Sequence, residues 1–278
     1  MKFLSLLSPN NFCNNRIEKA VSKETAFFCY LCAMITKNTI KLIQSLKQQK
    51  YRKEQQLFVV EGRKMVAELM ESGFEVVSLY ATERYLEGNE THFEGLETVT
   101  EVQMEQMSGQ DTAPGILAVA RIPQQRALKG KSPLVLALDG IANPGNMGTI
   151  IRTAEWFGIT DIVCSTDCVE IWNPKVIQAT MGSIFRANVV YKDLPQYLAA
   201  EKERGIAVYG ALLNGENLFS LQGKPQGIVV IGSESHGIRQ DVLPCITHPI
   251  TIPRVGNSQT ESLNASIATA IIIAEMTK

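Results

Sequence analysis

The C-terminal half of the chain repeats one arrangement three times, in which a short apolar run passes directly into a loop of glycine and polar residues. The runs cover residues 134–139, 227–231 and 250–252. Short apolar runs bounded by turn residues are typical of buried strands in a parallel sheet. The carboxyl ends of such strands form the ligand-binding edge of an open α/β sheet. The repetition therefore predicts an α/β domain with a mostly parallel sheet and a polar site where the three loops converge.

The loops and the helices that follow them supply five candidate site residues: Asn146, Arg152, Glu234, Ser262 and Asn264. Asn146 ends the first loop, and Arg152 lies on the second turn of a helix predicted over 149–157. The sequence shows no Ser–His–Asp or Cys–His set for covalent catalysis and no spacing typical of metal ligands. His236 is interpreted as a polar surface residue, and His92 and His248 stand alone. The five residues can orient and bind polar groups, which suits transfer of a group already activated on its carrier.

The last loop leads into a helix that is predicted to run to the end of the chain. Ser262 is a suitable N-cap, since its hydroxyl can accept a hydrogen bond from a free N–H of the first turn. Apolar residues at three- and four-residue spacing predict the face that packs inward; they are Leu263, Ile267, Ala270, Ile271 and Ala274. Asn173 followed by Pro174 predicts the start of another helix, because proline is favoured at the first helical position.

The N-terminal half alternates strand and helix patterns, which predicts a small α/β sandwich over 34–124. Strands are expected over 57–60, 74–80 and 116–120, and helices over 37–50 and 63–71. On the second helix the residues expected to face inward are Met65, Val66, Leu69 and Met70. A polar stretch without periodicity predicts a linker over 125–132, so the main domain covers 133–278.

The net charge of −1 supplies no global field for a nucleic acid, so any nucleic-acid site must be a local patch. Basic residues do crowd into 37–64, where only two glutamates oppose them. This crowding has two interpretations, either a solvated charged face or a surface that contacts RNA phosphates. The candidate RNA contacts are Lys37, Lys41, Lys47, Lys50, Arg52, Lys53, Arg63 and Lys64.

Residues 1–33 are expected to be an unstructured or misassigned extension without function, with Met34 as the true start. Cys29 and Cys32 in this extension lack a partner pair for a metal. The six cysteines of the whole chain do not form a disulfide framework of the secreted type, which indicates a reducing, cytoplasmic compartment. No apolar run reaches transmembrane length, so no membrane partner is expected.

Three segments carry a resemblance to a known family. NPGNMGTIIRTA at 143–154, IGSESHGI at 231–238 and IPRVGNSQTESLNAS at 252–266 resemble, in order and spacing, motifs 1, 2 and 3 of the SpoU, or TrmH, family of RNA ribose 2'-O-methyltransferases. NPKVIQATMGSIFR at 173–186 also fits, although Gln178 stands where the family is expected to carry arginine. Residues 36–121 are similar to the RNA-binding domain often fused ahead of the methyltransferase domain.

The resemblance implies a fold, a cofactor and a partner. It implies a deep trefoil knot in the C-terminal domain, S-adenosylmethionine as cofactor and a homodimer. Gly232, Ile252 and Leu263 would hold the cofactor. The five candidate residues match the family's functional set, which favours an active enzyme. The family also suggests Arg152 as the base, but a guanidinium keeps its proton near neutral pH, which favours a clamp on a phosphate.

The resulting hypothesis is methylation of a ribose 2'-hydroxyl in structured RNA, with ribosomal RNA favoured over transfer RNA. One alternative is a non-catalytic protein that binds RNA or assists ribosome assembly. Another is a nucleotide-dependent oxidoreductase on a doubly wound sheet. The first glycine-rich loop lacks the GxGxxG spacing, which disfavours the oxidoreductase. The loop also lacks the lysine of a Walker-type phosphate-binding loop.

Overall fold

A computed structural model describes the chain over the ranges 35–89, 93, 95–124, 127–130, 132–257 and 259–278. The extension 1–33 with its three cysteines, Met34, His92 and positions 125, 126 and 131 of the predicted linker lie outside the described residues. Within the described ranges, no helix combines the length and apolar character needed to cross a bilayer.

The N-terminal unit is a four-stranded sheet in the order β1-β4-β2-β3, with helices on both faces. Its elements are α1 (Lys37–Ser45), α2 (Gln49–Gln55), β1 (Leu57–Glu61), α3 (Arg63–Glu71), β2 (Val76–Thr82), α4 (Glu83–Glu87), β3 (Leu96–Val99), α5 (Glu101–Met107) and β4 (Ile116–Arg121). Alternate residues of β1 enter two cores: Phe58 and Val60 pack with α3, whereas Leu57 and Val59 join the cluster of α1 and α5. The small α/β unit expected from the strand and helix alternation is confirmed.

Three details of this unit differ from the expectation, and one is the second strand, which covers Val76–Thr82 instead of 74–80. The helix expected over 37–50 is two helices, because the chain turns after Ser45 and starts a new helix at Gln49. Met70, expected to face inward, is 37% exposed, while the other three inward candidates of α3 are buried. Each residue advances about 100° around a helix, so position 70 falls at the rim of the buried stripe.

The C-terminal unit is a six-stranded sheet in the order β10-β8-β9-β5-β6-β7, and every strand pair in it is parallel. Its elements are β5 (Leu134–Asp139), α6 (Pro144–Trp156), β6 (Asp161–Ser165), α7 (Pro174–Thr180), β7 (Asn188–Lys192), α8 (Leu194–Glu203), β8 (Val208–Asn217), β9 (Gly227–Gly232), β10 (His248–Thr251) and α9 (Ala265–Thr277). Helices α6, α7 and α9 cover one face of the sheet and α8 packs on the other. The predicted parallel α/β architecture is confirmed.

The first glycine-rich loop is shorter than predicted, because α6 begins at Pro144 instead of residue 149. Asn143 is the N-cap, and its side chain accepts a hydrogen bond of 3.0 Å from the N–H of Asn146. Proline at the first helical position needs no N–H partner, so this cap and proline start α6 in the same way that α7 starts. Asn146 therefore lies in the first helical turn and Arg152 on the third.

Helix α9 also differs in its start and in its buried face. Its N-cap is Asn264 and not Ser262, since Asn264 Oδ1 accepts hydrogen bonds from the N–H groups of Ser266 and Ile267 at 3.0 and 3.3 Å. Ile267, on the face predicted to pack inward, is 52% exposed. The residues that are buried are Ala265, Ser266, Thr269, Ile272, Ile273 and Met276. Because this helix is apolar on every side, spacing alone does not identify the face that meets the core.

The two units pack against each other through a continuous core. Phe58 and Phe74 of the N-terminal unit form an aromatic cluster with Trp172 and Phe185 of the C-terminal unit, with ring centroids 4.5 to 6.1 Å apart. Buried residues of both sheets belong to the same hydrophobic cluster. The N-terminal unit is therefore held directly on the C-terminal unit.

The described part of the predicted linker is tied to the C-terminal unit. The N–H groups of Lys129 and Gly130 donate to the buried carboxylate of Asp161 at 3.1 and 2.7 Å. The Asn188 amide donates to the carbonyl of Ala127 at 3.0 Å. These bonds place residues 127–130 against the start of β6 and β7.

Candidate active site

The three motif loops leave the C-terminal sheet at one edge. Strands β5 and β9 are neighbours, and Asp139 is opposite Gly232 in their register, so the loops that follow them start side by side. The loop after β10 returns to this edge, where α9 packs against α6. The predicted convergence of the three loops is therefore observed.

Three of the five candidate residues form a hydrogen-bonded chain across these loops. The side-chain amide of Asn146 donates to the carboxylate of Glu234. Asn264 Nδ2 donates in turn to Asn146 Oδ1 at 3.0 Å, while Asn264 Oδ1 caps α9. The side-chain amide of Asn146 donates to one neighbour through its nitrogen and accepts from the other through its oxygen. These hydrogen bonds fix the relative positions of the first turn of α6, the turn that follows β9 and the start of α9.

Arg152 and Ser262 complete the candidate set but do not join this chain. Arg152 is exposed on the third turn of α6, about 9 Å along the helix axis from Asn146. Ser262 is exposed two residues before the cap of α9. Neither side chain forms a hydrogen bond or ion pair with another described residue. Both polar groups are therefore available to a ligand.

The residues expected to hold the cofactor lie around the same edge. A Cβ at position 232 would overlap the backbone of Gly237, so the turn after β9 requires glycine there. Ser233 and Gly237 close this turn with backbone hydrogen bonds of 3.1 and 2.9 Å. Ile252 is half-buried against the core, and Leu263 is 45% exposed. A tight glycine turn beside two accessible apolar side chains fits a ligand with both polar and flat apolar parts, as S-adenosylmethionine has.

Seven of the eight basic candidates are exposed on the N-terminal unit. One of the seven, Lys47, also donates through its ammonium to the carbonyl of Ser108 at 2.6 Å. Arg52 is the exception and corrects the sequence-based expectation, because it is 2% exposed. Its guanidinium donates to the Leu46 carbonyl at 2.8 Å and forms an ion pair with Glu170 of the C-terminal unit. Arg52 therefore joins the two units and is not part of the RNA surface.

The structure adds residues that the sequence analysis did not single out. Asp139 is fully buried at the end of β5 and accepts a hydrogen bond of 2.8 Å from the N–H of Arg239. Arg239 Nε also lies 2.7 Å from Asp139 Oδ1, although the two are not aligned for a hydrogen bond. The two N–H groups that follow Asp139 donate to Ser165 Oγ and Cys168 Sγ. The one feature of the sequence that could have identified Asp139 is that it places a carboxylate at the end of an otherwise apolar strand.

The groups beneath the first loop have perturbed acidities. Burial raises the pKa of Asp139, and hydrogen bonding and the charge of Arg239 oppose that rise. A hydrogen bond from Cys164 lowers the pKa of the Cys168 thiol to about 7. The same bond, together with burial, raises the pKa of the Cys164 thiol. Across the part of the chain that the structure describes, no three His, Cys, Asp or Glu side chains are grouped closely enough to hold a metal ion.

Two family models match the chain, one for each unit. Residues 133–274 match the model described as the SpoU rRNA Methylase family. Residues 37–118 match the model described as the MRM3-like substrate binding domain. The first match ends within β4 and the second begins one residue before β5, so each match covers one of the two sheets.

Individual relatives align with most of this chain and with most of their own length. RlmP of Bacillus subtilis (strain 168), named as a 23S rRNA guanosine 2'-O-methyltransferase, is 29% identical over 242 residues, which are 84% of this chain and 94% of that protein. A structure described as a putative RNA methyltransferase of the TrmH family from Porphyromonas gingivalis is 37% identical, covers 87% of this chain and 98% of its own, and superposes with a TM-score of 0.79. The SpoU methyltransferase AviRb from Streptomyces viridochromogenes, solved with AdoMet, is 20% identical, covers 87% of this chain and 97% of its own, and shares the fold with a TM-score of 0.75.

Proposed function

This chain belongs to the SpoU rRNA Methylase family, and we propose that it transfers a methyl group from S-adenosylmethionine to a ribose 2'-hydroxyl of ribosomal RNA. The observation that carries this proposal is the hydrogen-bonded chain of Asn146, Glu234 and Asn264 beside two exposed polar side chains. The name of the Bacillus subtilis relative supports ribosomal RNA as the substrate class. S-adenosylmethionine supplies a methyl group whose leaving group is a neutral thioether, so the protein's main contribution is positioning.

The five site residues divide into a substrate pair and a supporting set. Arg152 binds the phosphate next to the target ribose through its planar fork of donors. A guanidinium is not a base near neutral pH, so that phosphate or a water accepts the proton of the 2'-hydroxyl. Ser262 orients the ribose. Asn146, Glu234 and Asn264 keep the three loops in place during the reaction.

The cofactor would be held on the other side of the same loops. Gly232 would bind it through backbone groups, because the turn leaves no room for a side chain at that position. Ile252 and Leu263 would cover its apolar part with their accessible surface. A cofactor held largely by backbone groups leaves the polar side chains free to act on the RNA.

The N-terminal unit, residues 34–124, would bind RNA through its exposed basic residues, and the segment 125–132 would connect it to the methyltransferase unit 133–278. Lys41→Glu combined with Lys53→Glu should weaken RNA binding and leave S-adenosylmethionine binding unchanged, because both side chains are exposed on that unit. Lys224→Glu is the matched control, an exposed lysine of the C-terminal unit. Loss of cofactor binding in the double variant would contradict this division of labour.

The proposal includes a homodimer formed through α9. This helix is apolar on every side, yet it buries only one face within the chain. The opposite face carries Ile267, which is 52% exposed, together with half-buried Ile271. A helix that is apolar all round is normally buried, which supports a second copy as the covering partner.

We also propose that residues 133–278 form the deep trefoil knot of this family. The support is the all-parallel sheet and the bond from Asn264, at the end of the last loop, back to Asn146 in the first. Stretching a single molecule from both termini should leave a contour length shorter than that of an unknotted chain of 278 residues. A full contour length would reject the knot.

A cytoplasmic location is the last part of the proposal. Cys164, Cys168 and Cys245 are free thiols in the structure, as suits a reducing compartment. Cell fractionation with an antibody against the chain tests this location, and recovery of the protein outside the cytoplasmic fraction would contradict it.

Transfer of labelled methyl from S-adenosylmethionine into total RNA of a strain that lacks this protein tests the function directly. Nuclease mapping should place the label on a ribose of one ribosomal RNA. Label only in transfer RNA would move the substrate to that class. The absence of both label and S-adenosylmethionine binding would favour the non-catalytic RNA-binding alternative.

Arg152→Ala tests the assigned substrate clamp. Loss of a positioned charge contact at the reacting group should lower turnover by about 100-fold, with unchanged cofactor binding and thermal stability. Arg204→Ala, which removes an exposed arginine directly after α8, should keep full activity. Normal turnover of Arg152→Ala on its RNA would end this assignment.

A further inference from the structure

Asp139 and Arg239 join the end of one motif strand to the residue that leaves the neighbouring motif turn. Asp139 is the last residue of β5 and has no solvent exposure. Arg239 follows the turn 232–237 by two positions. We propose that this pair positions the turn for S-adenosylmethionine, an inference that rests on the proposed function. Both are positioning residues, since they would act through the turn and not touch the reacting atoms.

The turn is held at both ends by one residue of β5. At its entry, Gly232 pairs with Asp139 in the sheet register. Within the turn, Ser233 and Gly237 exchange two backbone hydrogen bonds. At its exit, the N–H of Arg239 donates to Asp139 Oδ2 at 2.8 Å, and Arg239 Nε lies 2.7 Å from Oδ1. The backbone of Asp139 therefore sets where the turn starts, and its carboxylate sets where the turn ends.

Asp139 is itself anchored on the opposite side. The next two N–H groups of the chain donate to Ser165 Oγ at 2.9 Å and to Cys168 Sγ at 3.2 Å. These bonds attach the end of β5 to the end of β6. The carboxylate that holds the turn is thus fixed to the rigid centre of the sheet.

The other carboxylates near Arg239 do not share this role. Asp167 Oδ2 lies 3.5 Å and Asp241 Oδ1 3.9 Å from the guanidinium, and both side chains are more than half exposed. Exposed ion pairs contribute little to stability or geometry, because water competes for both charges. Asp139 is the buried carboxylate of the three, so its pairing decides the direction of Arg239.

An ion pair with a buried carboxylate is weak evidence of a role in stability alone, since apolar residues of similar volume often replace a buried pair without loss. The pair between Asp139 and Arg239 differs from an apolar contact because it fixes the orientation of Arg239. The backbone N–H of Arg239 donates to the carboxylate and the guanidinium lies in ion-pair contact with the same group, whereas an apolar contact would allow the turn to shift. Burial also raises the pKa of Asp139, and Arg239 opposes that rise, so the ionised pair depends on both members.

The test compares Asp139→Asn with Asp241→Asn in steady-state methylation of the RNA substrate. Asp139→Asn keeps the size of the side chain but removes its charge, so the KM for S-adenosylmethionine should rise by about tenfold or more. The kcat at saturating cofactor and the Kd for RNA should stay within about twofold, because positioning of the cofactor turn leaves the RNA surface intact. Asp241→Asn should match wild type. A lower melting temperature with an unchanged KM for the cofactor would show a purely structural pair and overturn the inference.

Variants of Arg239, the part-exposed member of the pair, test the inference if Asp139→Asn does not fold. Arg239→Lys retains a positive charge, whereas Arg239→Met does not, so the KM for S-adenosylmethionine should rise further in the second. Equal values in both variants and wild type would overturn the inference.

Calorimetric titration with S-adenosylmethionine alone separates this inference from the proposed function. A wild-type protein that binds no S-adenosylmethionine would reject the proposed function, and the inference with it. A wild-type protein that binds the cofactor no better than Asp139→Asn does would reject only the positioning role.

Discussion

Replacement of Arg52 separates a structural arginine from the basic surface around it. The guanidinium of Arg52 is buried between the Leu46 carbonyl and the Glu170 carboxylate of the other unit. Its neighbour Lys53 lies on the same short helix, is exposed and makes no side-chain hydrogen bond or ion pair with another described residue. Arg52→Met removes a buried charge and keeps an apolar stem, whereas Lys53→Met removes an exposed charge one position away. The two variants should therefore fail in different ways.

The expected loss of stability in Arg52→Met follows from the burial of the Arg52–Glu170 ion pair. Arg52→Met leaves the carboxylate of Glu170, 12% exposed, without its cation. Removal of one partner of a buried pair costs about 3 to 5 kcal/mol of the free energy of unfolding. In a protein of this size each kcal/mol corresponds to about 2 to 4 °C, so the melting temperature should fall by roughly 6 to 20 °C. Lys53→Met should change the free energy of unfolding by less than about 0.5 kcal/mol.

Scanning calorimetry measures the stability, and RNA titrations at several salt concentrations measure the binding at a temperature well below both transitions. Lys53→Met should weaken RNA binding and reduce the slope of log K against log salt by about 0.7 to 0.9. Arg52→Met should leave both quantities unchanged, and Glu170→Gln should reproduce its thermal loss. An Arg52→Met protein that melts like wild type but binds RNA more weakly would refute the structural assignment and return Arg52 to the RNA surface.

The remaining predictions concern the Gly232 turn, helix α9 and the Asp139 carboxylate. Gly232→Ala forces a Cβ into the backbone of Gly237, so calorimetry should show lost S-adenosylmethionine binding while RNA binding persists; tight cofactor binding would contradict the steric argument. Ile267→Asp places a charge on the exposed apolar face of α9, and sedimentation should show a monomer where wild type is a dimer; a monomeric wild type would reject the dimer. The pKa of Asp139 is raised, so S-adenosylmethionine affinity should be high above that pKa and fall as pH drops through it, with no such fall in Asp139→Asn. An identical pH profile in the variant would argue against the pair.

The sequence alone determined the strand ends and the residues that meet there. Apolar runs and glycine-rich loops are local signals, and parallel strands bring their carboxyl ends to one edge wherever they occur. For that reason the convergence of Asn146, Glu234 and Asn264 could be predicted without coordinates. The start of α6 was also readable, since Asn143 and Pro144 repeat the cap and proline that correctly predicted the start of α7.

The tertiary structure alone decided what these local signals left open. Spacing could not identify the inner face of α9, because every face of that helix is apolar and only the neighbouring elements select one. Arg52 resembled its lysine neighbours until its partner Glu170, 118 positions away, was placed beside it. The Asp139–Arg239 pair likewise depends on a residue 100 positions away. A charged side chain can be buried only where folding places an opposite charge next to it. The local sequence does not show which distant residue will be that partner.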